Sequence, residues 1–280
     1  MIYGIMHSGM RKANMRLELI SKFPTGKKHS VPILFIHGAY AGAWCWNEYF
    51  LDYFAKHGYC SHGLSLRGHG GSEGYENLNL FSVFDYVVDV IRTVHQLDRP
   101  PILIGHSMGG WIVQKYLLTA PAAAGILMAP VPRSGLFSVS VKMLATHPFL
   151  SQKINMMNML PKGAWQYFIS PEELHRLFFG KEQPSKNEEK YLNLIQEESY
   201  KAILDMFHFT LEQPTDVDVP VLVLGGESDI IIPPDIVEFS ASAYGTHAHI
   251  FPDMGHAMML GRNWHQAADH ILGWLGQRKF

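Results

Sequence analysis

Short apolar runs closed off by glycine or proline alternate along this chain with longer stretches whose apolar positions recur every three or four residues. The runs fall at 31–37, 59–64, 101–106, 124–129, 219–225 and 246–251. Most are continuous rather than alternating in polarity, as a strand covered on both faces requires. The segments at 44–56, 80–97, 108–118, 235–243 and 264–275 have helical spacing. Strands exchanging with helices call for right-handed crossovers and an open, doubly wound, mostly parallel sheet of the α/β class. In such a sheet the ligand crevice lies beyond the C-terminal strand ends.

The exchange stops after Ala129 and resumes near Val219. The intervening stretch is rich in Met and aromatic residues (Met143, Met156, Met157, Trp165, Phe178, Met206 among them) and is broken by Pro148, Pro161, Pro171 and Pro214. It reads as several short helices, a cap spanning 131–214 inserted into a core made of 1–130 and 215–280. The polar residues 180–189 read as a loop on its outer side. No internal repeat or low-complexity tract is present.

Gly105-His106-Ser107-Met108-Gly109 follows one apolar run and precedes a helical pattern. A G-x-S-x-G at a strand-to-helix turn forces the serine backbone into strain, and the flanking glycines leave room for strand and helix to approach. The hydroxyl then projects into the crevice, and the start of the helix offers the Met108 N–H to a developing oxyanion.

A serine hydroxyl is a poor nucleophile at neutral pH, so it needs a base and a third group that fixes the base's tautomer. With sixteen histidines, position rather than composition chooses the base. His256 lies just past the last strand candidate, at the sheet edge where Ser107 sits. His247 and His249 suit a surface strand face, and His265 and His270 lie on the last helix. Asp229 ends the 219–225 strand and enters a loop closed by Pro233 and Pro234, which brings it to the same rim. Glu227 follows the strand too directly, and Asp235 reads as an acidic residue at a helix start.

The second oxyanion donor belongs to the turn Ile36-His37-Gly38-Ala39, where Gly38 lets the backbone approach. Ala39 N–H is the assigned donor and Tyr40 the alternative. His37 reads as a buried hydrogen-bonding residue rather than a second base. Arg67-Gly68-His69-Gly70-Gly71-Ser72 has neither a G-x-G-x-x-G nor a Walker pattern, so it reads as a structural turn anchored by Arg67. No metal-ligand spacing is present, since His247, His249 and Asp253 lack a coordinating partner set.

A net charge of −2 provides no field for nucleic acid or anionic lipid. The basic pairs Arg11-Lys12, Lys27-Lys28 and Arg278-Lys279 read as solvated surface. No run approaches the roughly 20 apolar residues of a membrane span, and the N-terminal twenty residues lack a signal-peptide core, so a cytoplasmic protein without stable membrane insertion is expected. Cys45 and Cys60 fall in no C-x-x-C pattern and read as reduced, buried packing residues.

In these segments, from 31–38 through Gly105-His106-Ser107-Met108-Gly109 to Gly255-His256, the chain resembles the α/β-hydrolase superfamily over nearly its whole length. The order Ser107, Asp229, His256 matches that superfamily's order. The resemblance implies a serine hydrolase that cleaves a carboxylic ester through an acyl-enzyme, with no metal or organic cofactor. Residues 37–44 resemble the corresponding turn of plant methylesterases and their hydroxynitrile lyase relatives. Ala257 and Gly38 stand where those lyases typically carry lysine and threonine, which favours ester hydrolysis. Residues 65–70 are similar to carboxylesterases and monoacylglycerol-lipase-like enzymes. The Met- and aromatic-rich cap implies a small-molecule ester with an apolar acyl or alcohol part. Acyl transfer, carbon-carbon hydrolysis on the same triad and a non-turnover small-molecule receptor are the alternatives; acyl length and oligomeric state stay open.

Overall fold

The computed structural model describes residues 15–160, 164, 167–180, 186–215, 217–278 and 280. Arg11-Lys12, Pro161, Trp165, Lys279 and residues 181–185 of the expected loop at 180–189 lie outside them; the rest of that stretch, from Lys186, opens a helix rather than a loop. Seven strands form one sheet in the order β1-β3-β2-β4-β5-β6-β7. They are β1 (Leu19–Lys22), β2 (Ile33–Ile36), β3 (Ser61–Leu64), β4 (Ile102–His106), β5 (Ala124–Met128), β6 (Val221–Gly226) and β7 (His249–Phe251). Neighbours run parallel except β1, which pairs antiparallel with β3. The doubly wound, mostly parallel α/β sheet expected from the pattern is present. β1 was not expected: it is half-buried along its length at the sheet edge, so it carries no continuous apolar run.

The central strands β2, β4 and β5 are buried at every position. From β2 the chain crosses to one side through α1 (Trp44–Asn47) and α2 (Phe50–Lys56) to reach β3. It then returns across β2 through α3 (Val83–Val94) to β4. Right-handed crossovers in opposite directions place these helices on opposite faces and open a crevice between the C-terminal ends of β2 and β4. The expected helix at 44–56 is two helices, because Tyr49 leaves helical geometry at φ −137°. The expected helix at 80–97 begins at Val83, after a 3-10 turn at Tyr75–Leu80. There Ser82 and Asp85 form a reciprocal capping box. α4 (Met108–Leu117), α10 (Pro234–Ser242) and α11 (Trp264–Arg278) complete the layers.

Between β5 and β6 lie α5 (Leu136–Thr146), α6 (Pro148–Met159), α7 (Pro171–Phe179), α8 (Lys186–Leu194) and α9 (Tyr200–His208). The residues linking α8 to α9 tie this helical segment to the sheet. Gln196 N donates to Tyr40 O at 3.0 Å, and its side-chain amide bridges Gly70 N at 2.9 Å and Gly68 O at 3.0 Å. Ser199 Oγ donates to Phe81 O at 2.6 Å. The Glu198 carboxylate accepts from His69 Nε2 at 3.1 Å, Tyr86 Oη at 2.8 Å and Ser199 N at 2.6 Å.

His69 and Glu198 are both fully buried. Burial alone would lower the His69 pKa, but the charge and hydrogen bond of Glu198 and the bond to Arg67 O outweigh it and raise it above the ordinary 6.5. Burial works against Glu198 as well, yet His69 and the donors around it hold its pKa below 4.5. Removing one member of a buried pair leaves the other charge unpaired, at a cost of about 3–5 kcal/mol. Glu198→Ala is expected to lose that much unfolding free energy. The raised histidine contributes below pH 6.5 and loses its contribution as pH rises through its folded pKa. The depressed carboxylate contributes above pH 4.5 and loses its contribution as pH falls. The gap between parent and variant in urea melts should therefore be widest between these values and narrow on either side.

Candidate active site

Ser107 sits between β4 and α4 with φ 52° and ψ −116°, one of few non-glycine residues at positive φ. Such a backbone costs about 1–3 kcal/mol and persists only when its surroundings hold it. Ser107 N donates to Met128 O at 3.0 Å, and Ser107 O accepts from Gly110 N at 2.9 Å and Val131 N at 3.0 Å. A methyl group on Gly105 would overlap the Gly109 carbonyl, and one on Gly109 would overlap the Ile36 and His37 carbonyl oxygens. The pentapeptide thus fits a turn that brings α4 against β4 and β2.

Asp229 and His256 meet at the same rim, both almost fully buried. His256 Nδ1 lies 2.7 Å from Asp229 Oδ2. The other oxygen, Oδ1, accepts from Ile231 N at 2.8 Å and Ile232 N at 2.9 Å, which fixes the plane of the carboxylate. An ionised carboxylate can only accept, so Nδ1 carries the proton and Nε2 is left as the basic nitrogen. Glu227 is exposed, and Asp235 lies in the first turn of α10, paired with Lys142.

The serine and the imidazole are linked through His106. Its Nε2 donates to His256 O at 2.9 Å, and the two rings lie 4.6 Å apart between centroids. Burial and the neighbouring His256 push the His106 pKa well below 6.5, so it is a neutral donor. Among the described residues no hydrogen bond joins Ser107 Oγ to His256 Nε2. The row is closed at its carboxylate end and open at its hydroxyl end, and serine-to-base bonds commonly tighten only with substrate in place.

The turn after β2 runs alongside Ser107. A Cβ on Gly38 would lie 3.0 Å from Ser107 Cβ and 2.8 Å from His106 Nδ1. Ala39, the assigned donor, shares a cavity wall with Ser107 and Met108. Met108 opens α4, so its N–H has no intrahelical acceptor. His37 is buried with both ring nitrogens occupied: Nδ1 donates to Gly38 O at 2.8 Å and Nε2 accepts from Leu66 N at 3.1 Å. Burial, with repulsion from His69, lowers its pKa to about 3. Arg67 is spent on Asp89, with Nη2 at 2.6 Å from Oδ1, so the glycine-rich turn is held from within. His247 and His265 are exposed, and the His249 ring stacks on His270. Cys45 and Cys60 are buried free thiols, and no group of three potential metal ligands occurs among the described residues.

The cavity at Ser107 spans about 680 Å³, part of it open to solvent. Its far wall comes from α5, α6 and α9, with Val139, Met143, Ile154 and Met206 as apolar surface and Asn155 and Asn158 as polar points. The end of α7 touches the loops that carry Asp229 and His256. Ala257 N donates to Phe178 O at 2.7 Å, and a methyl on Gly255 would overlap the Phe179 backbone. No local sequence signal marks Asn158 or α7 as neighbours of the site, because each reaches it from a distant part of the chain; His106 sits beside Ser107 in sequence, but its bond to His256 O joins positions 150 residues apart.

A family model described as "Alpha/beta hydrolase family" matches residues 33–270. The AB hydrolase superfamily protein YisY of Bacillus subtilis (strain 168) is 27% identical over 234 residues, covering 79% of this chain and 82% of that protein. The non-heme chloroperoxidase of Streptomyces lividans is 32% identical over 111 residues, 38% of this chain and 39% of its own. Among solved structures, an esterase from Exiguobacterium antarcticum superposes with a TM-score of 0.69 at 20% identity, covering 94% of this chain and 96% of that one. That last likeness concerns the fold alone.

Proposed function

The chain belongs to the alpha/beta hydrolase family, and on that premise we propose that it is a serine hydrolase cleaving a carboxylic ester with an apolar acyl or alcohol part. The observation that carries this reading is the His256–Asp229 pair, which leaves Nε2 basic at the sheet edge where Ser107 stands on a strained turn. Ser107 Oγ attacks the ester carbonyl while His256 Nε2 takes the hydroxyl proton. The tetrahedral oxyanion accepts hydrogen bonds from Ala39 N and Met108 N. Collapse breaks the C–O bond, and His256 returns the proton to the leaving alcohol. Water, deprotonated by the same nitrogen, attacks the acyl-enzyme, and the acid leaves as Ser107 regains its proton. No step needs a cofactor. The helices within 131–214 act as the cap, and their apolar wall receives the non-reacting part of the substrate. Buried free thiols at Cys45 and Cys60 accord with a cytoplasmic setting.

A fluorophosphonate is expected to add one equivalent of mass to the parent and none to Ser107→Ala, alongside turnover of p-nitrophenyl butyrate. Labelling without turnover would favour a receptor instead. Acyl products formed on an added alcohol would favour a transferase.

A further inference from the structure

Two cavities meet at the turn after β2. The first is the Ser107 cavity under α5, α6 and α9. The second spans about 450 Å³, part of it open to solvent, and is walled by Trp44, Phe178, Tyr191, Ile195 and Met259, with almost no polar surface. Ala39 and Tyr40 line both, whereas Ser107 lines only the first. Tyr40 therefore stands between a compartment that contains the nucleophile and an apolar one that does not.

Tyr40 is held there at three points. Its φ of 67° is unusual for a residue with a side chain. Its carbonyl accepts from Gln196 N at 3.0 Å. Its phenol donates to Asn158 Oδ1 on α6, across the first cavity. Burial, with help from the Glu198 charge, pushes the phenol pKa above its ordinary 10, so it stays a neutral donor. A ring fixed by its own backbone, by the α8–α9 connection and by α6 cannot swing aside without losing a half-buried hydrogen bond.

We propose that Tyr40, tethered by Asn158, is the partition that limits the length of the apolar chain accepted beside Ser107, and that the second cavity is the space beyond that partition into which a longer chain would extend. A straight chain gains affinity as it fills the first cavity, by about fourfold for each methylene buried. It stops gaining when it reaches the ring. Removing the ring joins the cavities and lets the gain continue into the space lined by Trp44, Tyr191 and Met259. Loosening the tether has the same direction and a smaller size.

The kinetic arm of the test rests on the ester reading above; the binding arm does not. The kinetic arm measures kcat/KM for p-nitrophenyl esters from butanoate to hexadecanoate in the parent, Tyr40→Ala, Tyr40→Phe and Asn158→Ala. The binding arm titrates the matching straight-chain carboxylates calorimetrically into the same proteins. The expected result is a rise of at least about tenfold in the long-to-short ratio for Tyr40→Ala. Tyr40→Phe and Asn158→Ala should give smaller rises that resemble each other. A purely structural role would lower all chain lengths together. Unchanged ratios in every variant, in turnover and in binding, would overturn the proposal. If the parent hydrolyses no ester, the function proposed above falls, while a length shift in carboxylate binding still upholds the partition. Asn158→Ala leaves the Tyr40 ring in place and removes the tether together with one polar point of the first cavity; Tyr40→Phe removes the tether without touching that wall, so agreement between the two decides the matter should Tyr40→Ala fail to fold.

Discussion

Ser107→Ala lowers kcat toward p-nitrophenyl butyrate by about four or more orders of magnitude, with KM little changed, if the hydroxyl is the attacking group. The substitution suits the question because the turn is held by its backbone. The bonds to Met128, Gly110 and Val131 involve only main-chain atoms of residue 107. Alanine keeps the strained φ and ψ as well as serine does, so thermal melting should stay close to that of the parent. A variant that melts like the parent and still turns over at the parent's rate would remove Ser107 from the chemistry.

Asp229→Asn should cost about four orders of magnitude in kcat, for a reason that can be read from the two sides of the carboxylate. Oδ1 accepts from Ile231 N and Ile232 N, so the asparagine must place its oxygen there; an NH₂ would face two donors. The amide nitrogen is thereby turned toward His256 Nδ1, where the carboxylate oxygen lies 2.7 Å away in the parent. Nδ1 then has to accept, the proton moves to Nε2, and the imidazole can no longer take one from serine. Steady-state kinetics with p-nitrophenyl butyrate measures the loss. Activity within about tenfold of the parent would mean that Asp229 does not set the tautomer.

Sequence pattern found the parts of the molecule whose signals are local. β2, β4 and β5 are buried at every position because helices cover both faces, and each appears as a nearly unbroken apolar run. Ser107 and Asp229 each follow a strand whose positions are nearly all buried, and His256 follows the short, partly exposed β7, so their placement along one edge of the sheet could be read from topology before any distance was known. β1 escaped because an antiparallel edge strand buries each position only in part. The helix break at Tyr49 escaped because Trp44 to Lys56 keeps helical spacing through it. Tyr40 with Asn158, and His69 with Glu198, join positions more than a hundred residues apart. Nothing near either partner in sequence names the other. The glycine-rich turn at 68–71 shows both sides. Its structural character was legible from the missing phosphate motif, but its carboxylate partner in the α8–α9 connection was not.

The contact between α7 and the loop at 255–257 limits how modular this architecture is. Phe179 lies so close that only glycine fits at 255, and the amide two residues further on is bonded to Phe178. The seam between the helices of 131–214 and the sheet therefore runs through the mount of the imidazole. Any graft that exchanges these helices for another set inherits the task of reproducing that seam, or it will arrive with His256 displaced.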